Sequence, residues 1–231
     1  MELVDTFDNL HIGVDADKDG DTSLHVAIIC YMNDYAMALI DIDEGWLNIQ
    51  NCLLQTPLHL AVLTGQIDIV RALLTNGANA TLRDHKGETP LHIACEKGDR
   101  DSVAALVRSI RTEAARKEYF SIRNCEGLTC VHVASKQREF IILGHLFCKG
   151  ADVNIGDGKS GRTVLHYAVE KNDIEMVSLL LTHPNIEVDR KTYEGESPLY
   201  LAFWRNHRRI RNKLIKKGAY FDYGYFEEGV E

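Results

Sequence analysis

The chain has 231 residues, a 45% hydrophobic fraction and a formal net charge of −8. That is a soluble composition, and its acidic balance argues against a nucleic-acid binder. No apolar run reaches the ~18 residues a membrane span needs, and the start carries Glu2, Asp5 and Asp8 with no basic region, unlike a signal peptide.

In chain order, residues 1–18 read as an acidic, frayed lead-in. Asp15-Ala16-Asp17-Lys18-Asp19-Gly20-Asp21 invites a calcium-loop reading. An EF-hand needs a bidentate Glu at loop position 12, however, and that position is Val26. A solvated acidic cap is the default reading, and a surface for a basic peptide is the functional one. Thr22-Ser23-Leu24-His25-Val26-Ala27 then opens a helix, with a second helix around Tyr35 to Ile40 and a polar Asp41–Gly45 segment after it.

Gln55-Thr56-Pro57-Leu58-His59-Leu60-Ala61 repeats the pattern in its fullest form. Thr56 suits a helix N-cap, and Pro57 suits the first helical position, whose N–H has no intrahelical partner. Leu58, Ala61 and Val62 share one helical face. Gly65 ends the helix, a second helix turns Ile69, Val70, Leu73 and Leu74 inward, and Gly77 is suited to a left-handed C′ position. Asn79 to Lys86 reads as a β-turn finger. The pattern recurs at Thr89-Pro90-Leu91-His92, Thr129-Cys130-Val131-His132, Thr163-Val164-Leu165-His166 and Ser197-Pro198-Leu199-Tyr200. Arg111 to Glu118 reads as a helical extension in the third copy, and Gly156 to Ser160 as a small loop insertion in the fifth. Lys149 to Asn154 closes the fourth. Arg205, Arg208, Arg209, Arg211, Lys213, Lys216 and Lys217 form a basic run, followed by the acidic-aromatic tail 220–231. The run could touch nucleic acid or serve as a nuclear signal, though the net charge of −8 argues against nucleic acid; it otherwise reads as the charged outer face of a terminal helix pair or as a contact for an acidic partner surface. Trp204 beside it reads either as an interface anchor or as core.

The openings Thr22, Thr56, Thr89, Thr129, Thr163 and Ser197 step by 34, 33, 40, 34 and 34 residues. A period of about 33 residues opening on T-P-L-H-x-A resembles the ankyrin repeat. The fold expected is all-α, an ankyrin-repeat solenoid of six helix-turn-helix repeats with β-turn fingers, over residues 19–219. The motif histidines read as structural, because packed helices lie ~8–10 Å apart and a zinc ligand must reach ~2.0–2.1 Å. The six cysteines read as reduced and mostly buried small hydrophobes. No catalytic motif with supporting context stands out, so neither enzyme activity nor a cofactor is expected.

Several stretches go beyond the generic repeat. Gln55–Val62, Leu82–Glu96, Gly127–Ser135, Gly161–His166, Val177–Leu181 and Thr192–Pro198 resemble the inhibitor-of-kappaB family, which includes insect Cactus. The long third repeat also falls where that family carries an insertion. The resemblance implies a cytoplasmic protein, monomeric when unbound, that binds a Rel/NF-κB homology-region dimer (Dorsal-, Dif- or Relish-like in an insect). It implies masking of the dimer's nuclear-localisation segment and a block on DNA binding, with no nucleic acid or membrane bound by the chain itself. Asp19 and Asp21 match the family's acidic pair at the first repeat. Phe203 stands where the family has a sixth-repeat Trp, with Trp204 displaced by one and Arg205 beside it, and Cys125 stands where the family has a finger tyrosine. The family's phosphorylated D-S-G-x-x-S segment has no counterpart in residues 1–22, which hold no serine, and residues 218–231 hold no Pro, Ser or Thr. The chain is thus expected to resemble an inhibitory core without the release switch, as do ankyrin proteins of some parasitoid-wasp viruses that suppress host innate immunity. The rival expectations are a nuclear Rel-binding transcriptional cofactor and a generic ankyrin scaffold.

Overall fold

The computed structural model describes residues 16–42 and 44–220. Most of the lead-in, including Asp15, and the tail from residue 221 lie outside the described residues. Among the described residues all regular structure is helical. The chain divides into two compact units, one ending at Ile93 and the other beginning at Ala94.

The first unit holds α1 (Ser23–Ile29), α2 (Asn33–Ile42), a 3₁₀ turn (Glu44–Trp46), α3 (Pro57–Thr64) and α4 (Ile67–Thr75). Helix α5 (Pro90–Lys97) spans the division. In this unit α1 packs on α3, α2 packs on α4, and each inner helix packs on the outer helix that follows it. Leu24, Ile28, Leu39, Leu58, Ile69 and Leu73 are fully buried. Removing any one of these side chains costs about 2–5 kcal/mol, from lost transfer energy plus the cavity left behind. Leu74, expected inward, is only half-buried, because it sits at the edge of the apolar face that Ile69, Val70 and Leu73 fill.

The second unit holds α6 (Arg100–Ser109), α7 (Glu113–Ser121), α8 (Cys130–Lys136), α9 (Phe140–Cys148), α10 (Val164–Glu170), α11 (Ile174–Thr182), α12 (Pro198–Trp204) and α13 (Arg208–Lys216). Here α8, α10 and α12 form the inner row, while α6 packs on α9 and α11 on α13. Helix α7 is the extension expected in the third repeat. Thr112 caps it by accepting from the Ala115 N–H at 3.2 Å, and Tyr119 and Phe120 anchor its end in the core. Ala134, Ala168 and Ala202 are buried at one inner-helix position, where a small side chain lets the neighbouring helix approach.

The T-x-x-H stretch works as a capping box. Nδ1 of His25, His59, His92, His132 and His166 lies 2.8–2.9 Å from the hydroxyl of the Thr three residues earlier. The same Nδ1 also accepts from that Thr's backbone N–H at 3.1–3.3 Å. On the other edge, Nε2 of His25, His59, His132 and His166 reaches the carbonyls of Gln55, Glu88, Arg162 and Glu196 at 3.0–3.2 Å. A carbonyl only accepts and an amide N–H only donates. Each of these four rings is therefore the neutral Nε2–H tautomer. The inner helix and the next repeat's finger are tied by one imidazole, which bears out the structural reading of these histidines.

Each repeat begins in a finger built on one keystone side chain. Asp17 Oδ1 accepts from the Asp19 and Asp21 N–H groups, both at 2.9 Å. Asn51, Asp84 and Asn124 hold their fingers in the same way. The expected finger at Asn79–Lys86 thus turns at Asp84–Glu88, with Asn79 starting a separate turn. The fifth finger closes from the Asp157 N–H to the Arg162 carbonyl, one residue wider than the others, as the insertion required. Asp157 accepts from the Lys159, Ser160 and Gly161 N–H groups, the Ser160 hydroxyl and the Tyr167 hydroxyl. Burial pushes its carboxyl up, but these donors, led by Tyr167 and Ser160, outweigh it and hold the pKa at about 2.

The fourth finger residue has positive φ throughout. It is Gly20, Gly87, Gly127 and Gly195, with Gly161 in the longer fifth finger, and Leu54 in the second at φ 56°. At Gly20 the reason is double: φ is 77°, and a Cβ would come within 2.8 Å of the Cys52 backbone nitrogen. For a leucine this region costs roughly 1–2 kcal/mol. The cysteine expectation needs correction. Only Cys95 and Cys130 are buried, while Cys30, Cys52, Cys125 and Cys148 are exposed. Cys52 and Cys125 occupy the second finger position and Cys30 and Cys148 the ends of helices, so none of the four lies on an apolar helix face directed into the core.

Candidate functional site

The residues singled out from the sequence fall into two groups, one in each unit. In the first unit the chain enters the repeats through the Asp17–Asp21 turn. The turn places three carboxylates beside Lys18 and opposite the second finger, whose Cys52 N–H donates to the Asp19 carbonyl at 2.9 Å. Asp17 and Asp19 are exposed. Asp17's carboxylate holds the turn, which is why the run that suggested calcium coordination is a structural finger. Asp19's side chain projects to solvent. Asp21 is half-buried and accepts from the Asn51 side-chain amide at 2.8 Å, so it is a bridge between fingers as well as an acid at the surface. Among the described residues no group of three or more His, Cys, Asp or Glu is placed to hold a metal ion.

In the second unit, α12 starts at a Ser197 cap whose hydroxyl accepts from the Tyr200 N–H at 3.2 Å, with Pro198 in the first turn. Leu199, Leu201 and Ala202 fill the core, which turns Phe203, Trp204 and Arg205 outward. Trp204 is 58% exposed and Phe203 45%, which decides for a surface position over a core one. Trp204 lies 6.0 Å from both the Tyr200 and Phe203 rings, and the Arg211 guanidinium sits 5.9 Å from the Phe203 centroid. Arg205 donates to Glu170 at 2.5 Å, and Glu170 also faces Arg162 at 3.8 Å. Helix α13 buries only Ile210 and Leu214, so Arg208, Arg209, Lys216 and Lys217 are exposed and the basic run is a solvated outer face. Five of the bases sit on a nine-residue helix with no acid in its first turn.

Aromatic and guanidinium groups at such an edge are the residue types that carry binding energy at protein interfaces. The exposed carboxylates on a neighbouring-finger framework suit a cationic segment. Sequence reasoning expects Asp19, Phe203 and Arg205 at a partner-binding surface and leaves Trp204 between surface and core; all four are exposed. It did not foresee Asp21's bond to Asn51, Arg205's ion pair, or the keystones Asp17, Asn51, Asp84, Asn124 and Asp157. The available signal for the keystones was an Asp or Asn five or six residues before each capping Thr.

A family model described as ankyrin repeats (three copies) matches residues 2–84, 76–157 and 141–224. NF-kappa-B inhibitor alpha of Mus musculus is 44% identical over 200 residues, covering 85% of this chain and 63% of that protein. The B-cell lymphoma 3 protein homolog of Mus musculus is 39% identical over 210 residues, covering 88% of this chain and 45% of its own length. The crystal structure of the ankyrin repeat domain of Bcl-3, described as a unique member of the IkappaB protein family, superposes with a TM-score of 0.80. It is 36% identical and covers 88% of this chain and 89% of that one. The chain spans less than two thirds of the length of either curated relative.

Proposed function

Because the chain belongs to the ankyrin-repeat family and is homologous along that array to IκB proteins, we propose that it binds a Rel/NF-κB homology-region dimer and inhibits it by occlusion. The observation that carries this reading is the 44% identity to NF-kappa-B inhibitor alpha across 200 residues of the repeats. The 200 aligned residues run through the exposed fingers as well as the buried scaffold. In the proposed complex Asp19, with Asp21 beside it, neutralises the Lys/Arg stretch of the partner's nuclear-localisation segment. The Phe203–Trp204 edge, with Arg205, meets the dimerisation region. Within each unit, preformed helices and fingers lose little conformational entropy on binding, so the interface forms without refolding. Masking that segment retains the dimer in the cytoplasm. Titration of the chain with a Rel homology region dimer carrying its nuclear-localisation segment tests the proposal. Binding at or below micromolar concentration is expected, and no measurable association would refute it.

A second reading is a nuclear cofactor that stays on the Rel–DNA complex. It is favoured by the basic outer face of α13 and by the likeness to the Bcl-3 ankyrin domain. A mobility-shift assay separates the two: an inhibitor strips the dimer from DNA, and a cofactor gives a slower complex.

A further inference from the structure

The second finger differs from the other five in what it shows to solvent. Its tip is Leu53 and Leu54, 50% and 48% exposed, where the third, fourth and sixth fingers carry Lys86-Gly87, Glu126-Gly127 and Glu194-Gly195. Leu54 also holds the left-handed conformation at φ 56° that every other finger gives to glycine. A β-carbon is disfavoured there, and half of this side chain is left in water, so burial within the chain does not offset the strain. Neither side chain is needed to close the turn, which is made by Asn51 Oδ1 accepting from the Leu53 and Gln55 N–H groups at 3.0 and 2.9 Å.

The surroundings define what this tip fits. Cys52 donates to the Asp19 carbonyl at 2.9 Å, so the first finger, with Asp17, Asp19 and Asp21 against the single Lys18, lies directly alongside. On the other side the His85 N–H donates to the Leu53 carbonyl at 3.0 Å, which fixes the backbone of the tip. Two exposed leucines on a rigid backbone are thus continuous with a net acidic finger.

We propose that Leu53 and Leu54 form the apolar half of a composite docking point, which takes an apolar side chain adjoining the basic stretch of the partner segment. The carboxylates draw in the cationic stretch, and the leucines then fix its register by burying the neighbouring apolar group. An acidic or wholly polar segment is rejected, because it meets either the carboxylates or an undesolvated apolar tip. This inference rests on the Rel-binding reading and specifies which part of the partner the second finger selects.

The test uses the full chain in three forms, the parent, L54G and L53S, each titrated with a Rel homology region dimer carrying its nuclear-localisation segment. The expected result is that L54G keeps or raises the melting temperature, because the strain is relieved, while weakening binding about tenfold. L53S weakens binding similarly at an unchanged melting temperature. Both losses should vanish against a dimer truncated before the nuclear-localisation segment. Unchanged affinity in both variants would overturn the inference and leave the Rel reading standing. A lowered melting temperature for L54G would also overturn it, by showing that packing within the chain holds Leu54. Failure of the parent to bind any form of the dimer defeats the Rel reading itself, and this inference with it.

Discussion

Lowering the pH from 7.5 to 5.0 should destabilise the second unit by several kcal/mol through its buried histidines. His132 and His166 are fully buried, and burial pushes their pKa values down to about 4, against the partial compensation of the carbonyls of Arg162 and Glu196. In the unfolded chain each titrates near 6.5. Their folded pKa is therefore depressed, and protons bind the unfolded state first as pH falls. Stability is full above about 6.5 and is lost between there and 4. The structural cause is that Nδ1 of each ring accepts from a Thr backbone N–H, and a protonated ring would turn a donor towards that donor. With 1.36 kcal/mol per pKa unit, the two pKa values give a loss of about 2 kcal/mol per ring at pH 5.0, or about 4 for the pair. The Asp157 carboxyl, at about 2, contributes stability present above 3.8 that is lost only as pH falls through 2, outside this window. The assay is urea unfolding of the full chain followed by far-UV circular dichroism at both pH values, for the parent and for H166Q. Glutamine lowers stability at pH 7.5 but removes one titrating group, so the loss between the two pH values should shrink by about 2 kcal/mol. A parent whose stability changes by under about 1 kcal/mol over this range, or an H166Q slope equal to the parent's, would refute the reasoning.

The other predictions concern the surface. D19K, which touches no bond that holds the finger, should weaken binding to a Rel dimer with its nuclear-localisation segment several-fold, with the loss growing as salt is lowered. Calorimetry at two ionic strengths checks this. W204A should change the melting temperature little, because the ring is 58% exposed, yet weaken Rel binding by about 2 kcal/mol if the edge is an interface anchor. Equal affinity for parent and variant counts against that role. Thiol titration of the native chain should find four reactive cysteines, Cys30, Cys52, Cys125 and Cys148, and two that react only on unfolding, Cys95 and Cys130. For Cys95, its hydrogen bond with Cys130, together with burial, raises the thiol well above its ordinary value, which slows reaction further. Six fast thiols would contradict the burial of that pair.

The sequence by itself determined the architecture and much of its internal chemistry. The capping Thr, the helix-starting Pro, the apolar face of Leu58, Ala61 and Val62 and the bridging histidine are local or one-period relations, so a repeat of about 33 residues carries all of them. The helical extension at α7 and the widened fifth finger were legible for the same reason, as departures from a fixed period. Tertiary structure decided what depends on the neighbour across a repeat boundary. It made Asp21 a bridge to Asn51, paired Arg205 with Glu170 from the preceding repeat, turned four cysteines to solvent and left Trp204 half in water. None of these has a period, because each depends on which side chain of one repeat meets which of the next. The same reason hides Leu54. Its identity is plain in the chain, but only the backbone shows that it stands where the other fingers require glycine.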